Sequence, residues 1–427
     1  MRGYLFVLVV AAAVTYLTTP AARRIARRFG AITEVRERDV HTVPIPRLGG
    51  TAIYLGIAVS LLIASRVPFF EGIFDSREPW IVLLCAGAIC LLGVADDLWT
   101  LDAVTKFAGQ ALVAGVMAWQ GLQLVLLPLG GVWIPSPGVL IVLTVLAVVI
   151  CINAVNFVDG LDGLAAGIVA IAGSAFFVYA YLLTKDLNKQ DYSSLAALIT
   201  ASLVGACVGF LPHNFNPARI FMGDSGSMLI GLLLAASTVE ITGKIDPDAV
   251  YAGRILPAFL PVVLPLAVIA LPLIDLFLAV FRRTRAGQKF WQPDKLHLHH
   301  RMLAIGHSHM RAVLILYFWT ATVGFGVALF AVLPAHWASL IAALSVLLAL
   351  ALTLGPLRGR LAAARLAALE AGRSIAEANR IAAAAQEAED AEAQGTAVAT
   401  HDPDVDPALR VAEGPEVPGA PAPGKAS

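Results

Sequence analysis

Long apolar runs separated by short polar loops dominate the chain up to residue 356. A bilayer core needs about 20 consecutive apolar residues per helix. Runs that fit occupy 4–19, 48–66, 80–95, 103–121, 137–153, 164–184, 194–212, 226–242, 255–281, 312–333 and 336–356. They are continuous rather than alternating, which predicts helices and not the strands of a closed barrel. The expected fold is an all-α polytopic integral membrane protein with about eleven transmembrane helices. The first run follows only Arg2 and lacks a small-residue cleavage site, so a retained helix is expected rather than a signal peptide.

Beyond residue 356 the pattern changes. Segment 357–395 is rich in Ala, Glu, Arg and Gln, which are good helix formers. It predicts a cytosolic helix and a candidate homodimer element. Its large aliphatic residues, such as Leu361, Leu366 and Ile375, are too sparse for a heptad. Segment 396–427 is dominated by Pro, Gly, Ala, Asp and Glu and is predicted to be disordered. Three regions follow: a transmembrane domain over 1–356, the Ala-rich helix, and the tail.

The loops set an orientation through their Lys and Arg. Segment 20–47 carries Arg23, Arg24, Arg27, Arg28, Arg36, Arg38 and Arg47, and segment 282–311 carries Arg282, Arg283, Arg285, Lys289, Lys295, Arg301 and Arg311. Both are odd-numbered loops and lie on one side, with Lys106 and Arg219. Fewer cations occupy the other side. The odd loops are therefore expected in the cytoplasm, with the N-terminus outside and the C-terminus inside.

Composition narrows the classes. Hydrophobic residues make up 58% of the 427 and charged residues 14%, and the formal net charge is zero. A disordered chain and a nucleic-acid binder working through overall basicity are excluded. Cys85, Cys90, Cys151 and Cys207 lie in apolar runs without a C-x-x-C pair, so they read as packing residues.

In such a chain the informative residues are polar ones near apolar spans. They form clusters on the side expected to be cytoplasmic. Asp96 and Asp97 end one span. Adjacent carboxylates suit a general base or a metal or phosphate partner, and equally a solvated acidic helix end. Lys106 follows, able to reach a phosphate or to snorkel. Asn153, Asn156 and Asp159 recur at three-residue spacing, followed by Gly160, Asp162 and Gly163. Oxygen ligands of this kind suit Mg²⁺, and the same residues make an ordinary turn.

The next cluster runs from Asn214 through Arg219 and Phe221 to Asp224-Ser225-Gly226 at a helix start. Asp224 reads either as an N-cap or as a metal ligand with helical N–H groups open to an anion. Phe221 can stack on a flat base. His297, His299 and His300 sit between Lys295 and Arg301, a donor set better matched to phosphate than to zinc. Upstream, Pro44 and Pro46 stiffen a loop that leads through Arg47 to Gly49-Gly50. Paired glycines suit close helix packing. Arg47 is a lipid-phosphate contact or a positive-inside anchor.

Together these clusters resemble the polyprenyl-phosphate N-acetylhexosamine-1-phosphate transferase family of bacterial cell envelopes. The resemblance covers roughly residues 1–356, in five motifs in order. It implies transfer of a sugar 1-phosphate from a UDP-sugar to undecaprenyl or decaprenyl phosphate, releasing UMP. It also implies Mg²⁺, with Mn²⁺ as an alternative. By resemblance, Asp96 and Asp97 act on the lipid phosphate and its proton, and Lys106 contacts phosphates. Asn156 and Asp224 hold the metal. Asp159 belongs to the catalytic loop, Asp162 and Phe221 read and stack on uracil, and Asn214 lies on the nucleotide side. His297, His299, His300 and Arg301 match a loop that closes over the diphosphate or sugar.

The Arg38–Gly50 segment and the N-P-A-R-I-F-M-G-D-S-G-S run resemble the branch that uses UDP-N-acetylglucosamine. The muramoyl-pentapeptide branch has three consecutive histidines where this chain has His-Leu-His-His. UDP-N-acetylglucosamine is therefore the expected donor, with the muramoyl-pentapeptide or another UDP-N-acetylhexosamine as alternatives. In-line attack by the lipid phosphate is the expected mechanism, against a rival with Asp159 or Asp97 as nucleophile. The rival class is a transporter, which would place its ionisable groups nearer the membrane midplane.

Overall fold

A computed structural model describes residues 1–32, 44–125, 127–128, 132–133, 136–187, 193–242, 309–330 and 332–370. The apolar run 255–281, the histidine cluster 297–301 and the tail 371–427 lie outside the described residues. Every other predicted run falls on a helix. In chain order these are α1 (Arg2–Phe29), α2 (Gly49–Ala64), the short α3 (Glu71–Phe74), α4 (Glu78–Trp99), α5 (Ala103–Trp119), α6 (Pro137–Val158), α7 (Leu164–Leu187), α8 (Leu195–Asn214), α9 (Gly223–Thr242), α10 (His309–Leu329) and α11 (Ala335–Glu370).

Among the described residues, 8 helices are long and apolar enough to cross a membrane, or up to 9 if a bent pair counts as one span. That pair is α2 with Pro68–Phe74, bent by 95°. One local departure from the all-helical expectation lies between α5 and α6, where β1 (Leu127–Pro128) pairs antiparallel with β2 (Val132–Trp133). The chain divides into two compact units, Met1–Arg358 and Gly359–Ser427. Helix α11 continues without interruption past residue 356, to Glu370.

Local signals set the helix ends. Pro79 and Pro137 stand in the first turns of α4 and α6, where a missing N–H costs nothing. Asp102 caps α5, its Oδ2 accepting from the backbone N–H groups of Val104 and Thr105, each at 3.0 Å. Gly30, left-handed at φ 74°, closes α1.

The centre of the bundle is α8 and α9. Their most apolar windows are 83% and 89% buried, against 11% for α11. Helix α1 packs on α8 and α2, α4 and α6 pack on α9, and α7 packs on α8 and α10. At one end, Tyr4 ties α1 to the start of α8: its hydroxyl accepts from the Ser194 N–H at 2.7 Å. Its ring meets Phe69, Phe70, Phe177 and Tyr181 edge-on.

At the other end α9 is approached too closely for side chains. A Cβ on Gly50 of α2 would run into the backbone of Ser225 and Gly226, and one on Gly93 of α4 into the backbone of Asp224 and Ser225. Small residues of this kind let membrane helices meet backbone to backbone. Because the obstacle is main chain, Gly93→Val is expected to destabilise the protein by about 3 kcal/mol. Thermal unfolding in detergent checks this, and a wild-type midpoint would contradict it.

Candidate active site

The same close approach brings together the ends of α4, α5, α6 and α9. Lys106 stands in the first turn of α5, placed there by the Asp102 cap. Its Nζ donates to Asp96 Oδ2 at 2.8 Å and to Asp224 Oδ2 at 2.6 Å. Asp96 Oδ1 accepts the Leu101 N–H at 2.9 Å, which closes the loop between α4 and α5. On the far side of Asp224, Asn156 Nδ2 donates to Oδ1 and also to Ser227 Oγ. One ammonium is thus clamped between carboxylates from two helices, with an amide from a third.

Asp97 points elsewhere. Its Oδ1 accepts the Asp224 N–H at 2.9 Å and its Oδ2 accepts the Ser225 N–H at 3.1 Å. A carboxylate on α4 therefore caps α9 and sits at the positive end of that helix dipole. These two α9 N–H groups are consequently committed to Asp97 rather than open to a ligand anion, as the sequence had suggested. Asp96 and Asp97, adjacent in sequence, do different work.

A second group of residues ties two loops. Asp162, 1% exposed, accepts at Oδ2 from Asn216 Nδ2 and from the Ala218 N–H, both at 3.0 Å. Asn214 accepts the Gly163 N–H at 3.1 Å and donates to the Ile220 carbonyl at 3.0 Å. Tyr317 on α10 donates to the Gly163 carbonyl at 2.5 Å. Phe221 is half-buried. Its backbone N–H donates to the Pro46 carbonyl at 2.8 Å, and its carbonyl accepts the Gly49 N–H at 3.0 Å. That pairing fixes the loop carrying Arg47, beside Leu48 in a left-handed conformation at φ 88°.

Asp159 follows directly on α6. Burial pushes its carboxyl up to about 7, the neighbouring Asp224, Asp97 and Asp162 carboxylates add to this, and the Arg47 guanidinium opposes it. Asp159 thus feels Asp97 and Asp224 from the first group and Asp162 and Arg47 from the second.

Sequence reasoning passed over Gln110 and Tyr317, and placed Asn216 and Ser227 in the polar run from Asn214 without giving either a role. Gln110 carried a usable signal, an amide inside an apolar run one turn beyond Lys106. Tyr317 had none, because its partner is a backbone carbonyl far away in sequence. His297, His299, His300 and Arg301 lie outside the described residues. No group of three or more His, Cys, Asp or Glu is gathered at metal distance among those residues. The hard donors of Asp224 and Asn156 nevertheless suit Mg²⁺, which is bound by one or two carboxylates and completed by substrate phosphates. The Lys106 ammonium rests between the Asp96 and Asp224 carboxylates, so this position already gathers opposite charge.

A family model described as glycosyl transferase family 4 matches residues 79–242, from α4 to the end of α9. The chain is 43% identical to the decaprenyl-phosphate N-acetylglucosaminephosphotransferase of Mycobacterium tuberculosis (strain ATCC 25618 / H37Rv) over 333 residues, covering 77% of this chain and 82% of that protein. It is also 43% identical to the protein of that name from Mycolicibacterium smegmatis, over 84% of this chain and 90% of the relative. A probable undecaprenyl-phosphate N-acetylglucosaminyl 1-phosphate transferase of Bacillus subtilis is 32% identical over 73% and 81%.

The chain belongs to the polyprenyl-phosphate N-acetylhexosamine-1-phosphate transferase family. A member of this family is a phosphotransferase, and the apolar helices make this one a multi-pass membrane protein. Within the matched 79–242 fall Asp96, Asp97, Lys106, Asn156, Asp159, Asp162, Asn214, Phe221 and Asp224. Arg47 lies before it and the histidine cluster after it. The transporter reading is set aside by this membership.

The Asp159 environment makes a pH prediction. A carboxyl raised in the folded state is neutral there while it is already ionised in the unfolded chain. Its contribution to stability is whole below the unfolded value and is lost as pH rises through about 7. Asp159→Asn is therefore expected to raise the unfolding temperature at about pH 8 and to leave it unchanged near pH 4. A gain of equal size at both pH values would contradict this environment.

Proposed function

We propose that this chain transfers N-acetylglucosamine 1-phosphate from UDP-N-acetylglucosamine to a polyprenyl phosphate, giving polyprenyl-diphospho-N-acetylglucosamine and UMP. The observation that carries this reading is the Lys106 ammonium held by Asp96 and Asp224 beside Asn156, where four helices end. The reaction brings two anions together, so charge compensation is what the site must supply. Lys106 provides a cation to the phosphates when they displace a carboxylate from it. Asp96, freed from that pairing, keeps the lipid phosphate deprotonated. Asp97, spent on capping α9, holds Asp224 in place.

The lipid phosphate oxygen attacks the β-phosphorus in line, and the bond from that phosphorus to the bridging oxygen breaks. UMP leaves with the electron pair. Asn156 and Asp224 are the residues that would hold Mg²⁺ or Mn²⁺. Bound there, the ion would neutralise the diphosphate and stabilise the leaving phosphate. Asp162, Asn214 and Phe221, joined by the bonds around Gly163 and Ile220, form the uracil side. Arg47 faces the lipid phosphate. The His297–Arg301 loop supplies further cationic donors.

The names of the relatives support N-acetylglucosamine as the sugar and a polyprenyl phosphate as the acceptor. With the eleven apolar runs taken as spans, the distribution of Lys and Arg supports the N-terminus outside, the C-terminus inside and the site facing the cytoplasm of a bacterial plasma membrane. The reaction would be the first membrane step of a cell-envelope polymer. The Ala-rich segment 357–395 would serve as a homodimer element and the last segment as a tail.

The test is UMP release by purified protein with UDP-N-acetylglucosamine, polyprenyl phosphate and Mg²⁺, set beside a panel of other UDP-sugars. Release with the N-acetylglucosamine donor is expected, and Asp224→Ala is expected to lower it by roughly a thousandfold. Preference for a muramoyl-pentapeptide donor, or full turnover in Asp224→Ala, would overturn the reading.

A further inference from the structure

One helical turn beneath the Lys106, Asn156 and Asp224 layer lies a second layer drawn from the same three helices. Gln110 follows Lys106 by four residues on α5. Asn153 precedes Asn156 by three on α6. Met228 follows Asp224 by four on α9. At helical spacing these residues stand directly below their counterparts. They are bonded to one another. Asn153 Nδ2 donates to Gln110 Oε1 at 2.6 Å, and Gln110 Nε2 donates to Met228 Sδ at 3.6 Å. Asn153 Nδ2 also donates to the Val149 carbonyl at 2.8 Å.

Gln110 is 1% exposed and surrounded by apolar spans. An amide there is costly unless its donors and acceptor are used. Cross-helix amide bonds hold membrane helices in register where the hydrophobic effect between them is absent. An apolar residue at 110 would pack there without directional bonds, and would let α5 rotate or slide against α6 and α9. Lys106 has only its long, flexible stem to absorb such a shift.

We propose that Gln110 is a positioning residue for the transfer reaction: through Asn153 and Met228 it fixes the register of α5 against α6 and α9, and so sets Lys106 between Asp96 and Asp224. The role in transfer rests on the proposed function; the positioning of Lys106 does not. The nucleotide side of the site is built from other segments, around Asp162 and Asn214. Loss of Gln110 therefore acts on the reacting phosphates and not on the uracil side.

Gln110→Leu tests this. The expected result is a kcat for UMP release lower by roughly ten- to hundredfold, with the donor KM changed by less than about twofold. The double variant Gln110→Leu/Asn153→Leu separates positioning from packing, because replacing both partners with apolar groups removes the unsatisfied amide. It is expected to regain the thermal stability lost in the single variants while kcat stays low. Acylation of Lys106, followed by mass spectrometry without substrate, gives a readout independent of donor identity. It is expected to be several-fold faster in Gln110→Leu than in wild type, as the amine leaves its carboxylates. Wild-type kcat and wild-type labelling in Gln110→Leu would overturn the proposal, as would full recovery of kcat in the double variant. Faster labelling in Gln110→Leu, when the wild-type protein itself releases no UMP from any donor, would uphold the positioning of Lys106 and sink the transfer role together with the substrate reading.

Discussion

A single ammonium between two carboxylates organises this end of the bundle. Asp96 belongs to α4, Asp224 to α9 and Lys106 to α5, and each would be expensive to keep near the membrane without the others. Their bonds also fix how three helices meet. Asp96 is buried, but the side chains of Asp224 and Lys106 are 23% and 20% exposed, so water and a phosphate can reach the cluster. A fully dry pair would be harder to open to substrate, and a surface pair would hold nothing in place.

That arrangement depends on how closely α9 can be approached. Gly50 and Gly93 bring α2 and α4 onto its first turn, backbone to backbone. The contact puts Asp97 within reach of two α9 N–H groups, so the helix start is stabilised by a neighbour's carboxylate. The loops beyond are then tied from α8 by Asn214 and from α10 by Tyr317. The central helices α8 and α9, the most enclosed of the bundle, carry site residues at their ends, as do α4, α5 and α6. Rigid packing below and bonded loops above are what a positioned phosphate-transfer site requires.

Much of the helical architecture was legible in the sequence because the bilayer imposes a length and a composition on every span. Each predicted run within the described residues lies on a helix, and Pro79, Pro137 and Asp102 mark their starts. The residue types of the site were legible for a related reason: in an apolar chain a carboxylate or amide near a span stands out. What each one touches was not. Nothing in the order Asp96-Asp97 says that the first meets a lysine and the second caps a helix lying more than a hundred residues away. Cross-helix pairing depends on rotation and register, which local sequence does not encode. Tyr317 was overlooked for that reason, since its partner is main chain on another segment, whereas Gln110 stood out as an amide in an apolar run and only its partners were hidden.

The central claim is that Lys106 holds the Asp96 and Asp224 carboxylates together. Thermal unfolding of Lys106→Met, compared with Lys106→Met/Asp96→Asn, measures it most directly. Removing the ammonium leaves two carboxylates facing each other without a cation, so the single variant is expected to lose roughly 2 kcal/mol, between the surface and buried limits for ion pairs. Neutralising Asp96 as well is expected to restore most of that loss. A single variant that unfolds at the wild-type temperature, or a double variant no more stable than the single, would contradict the claim.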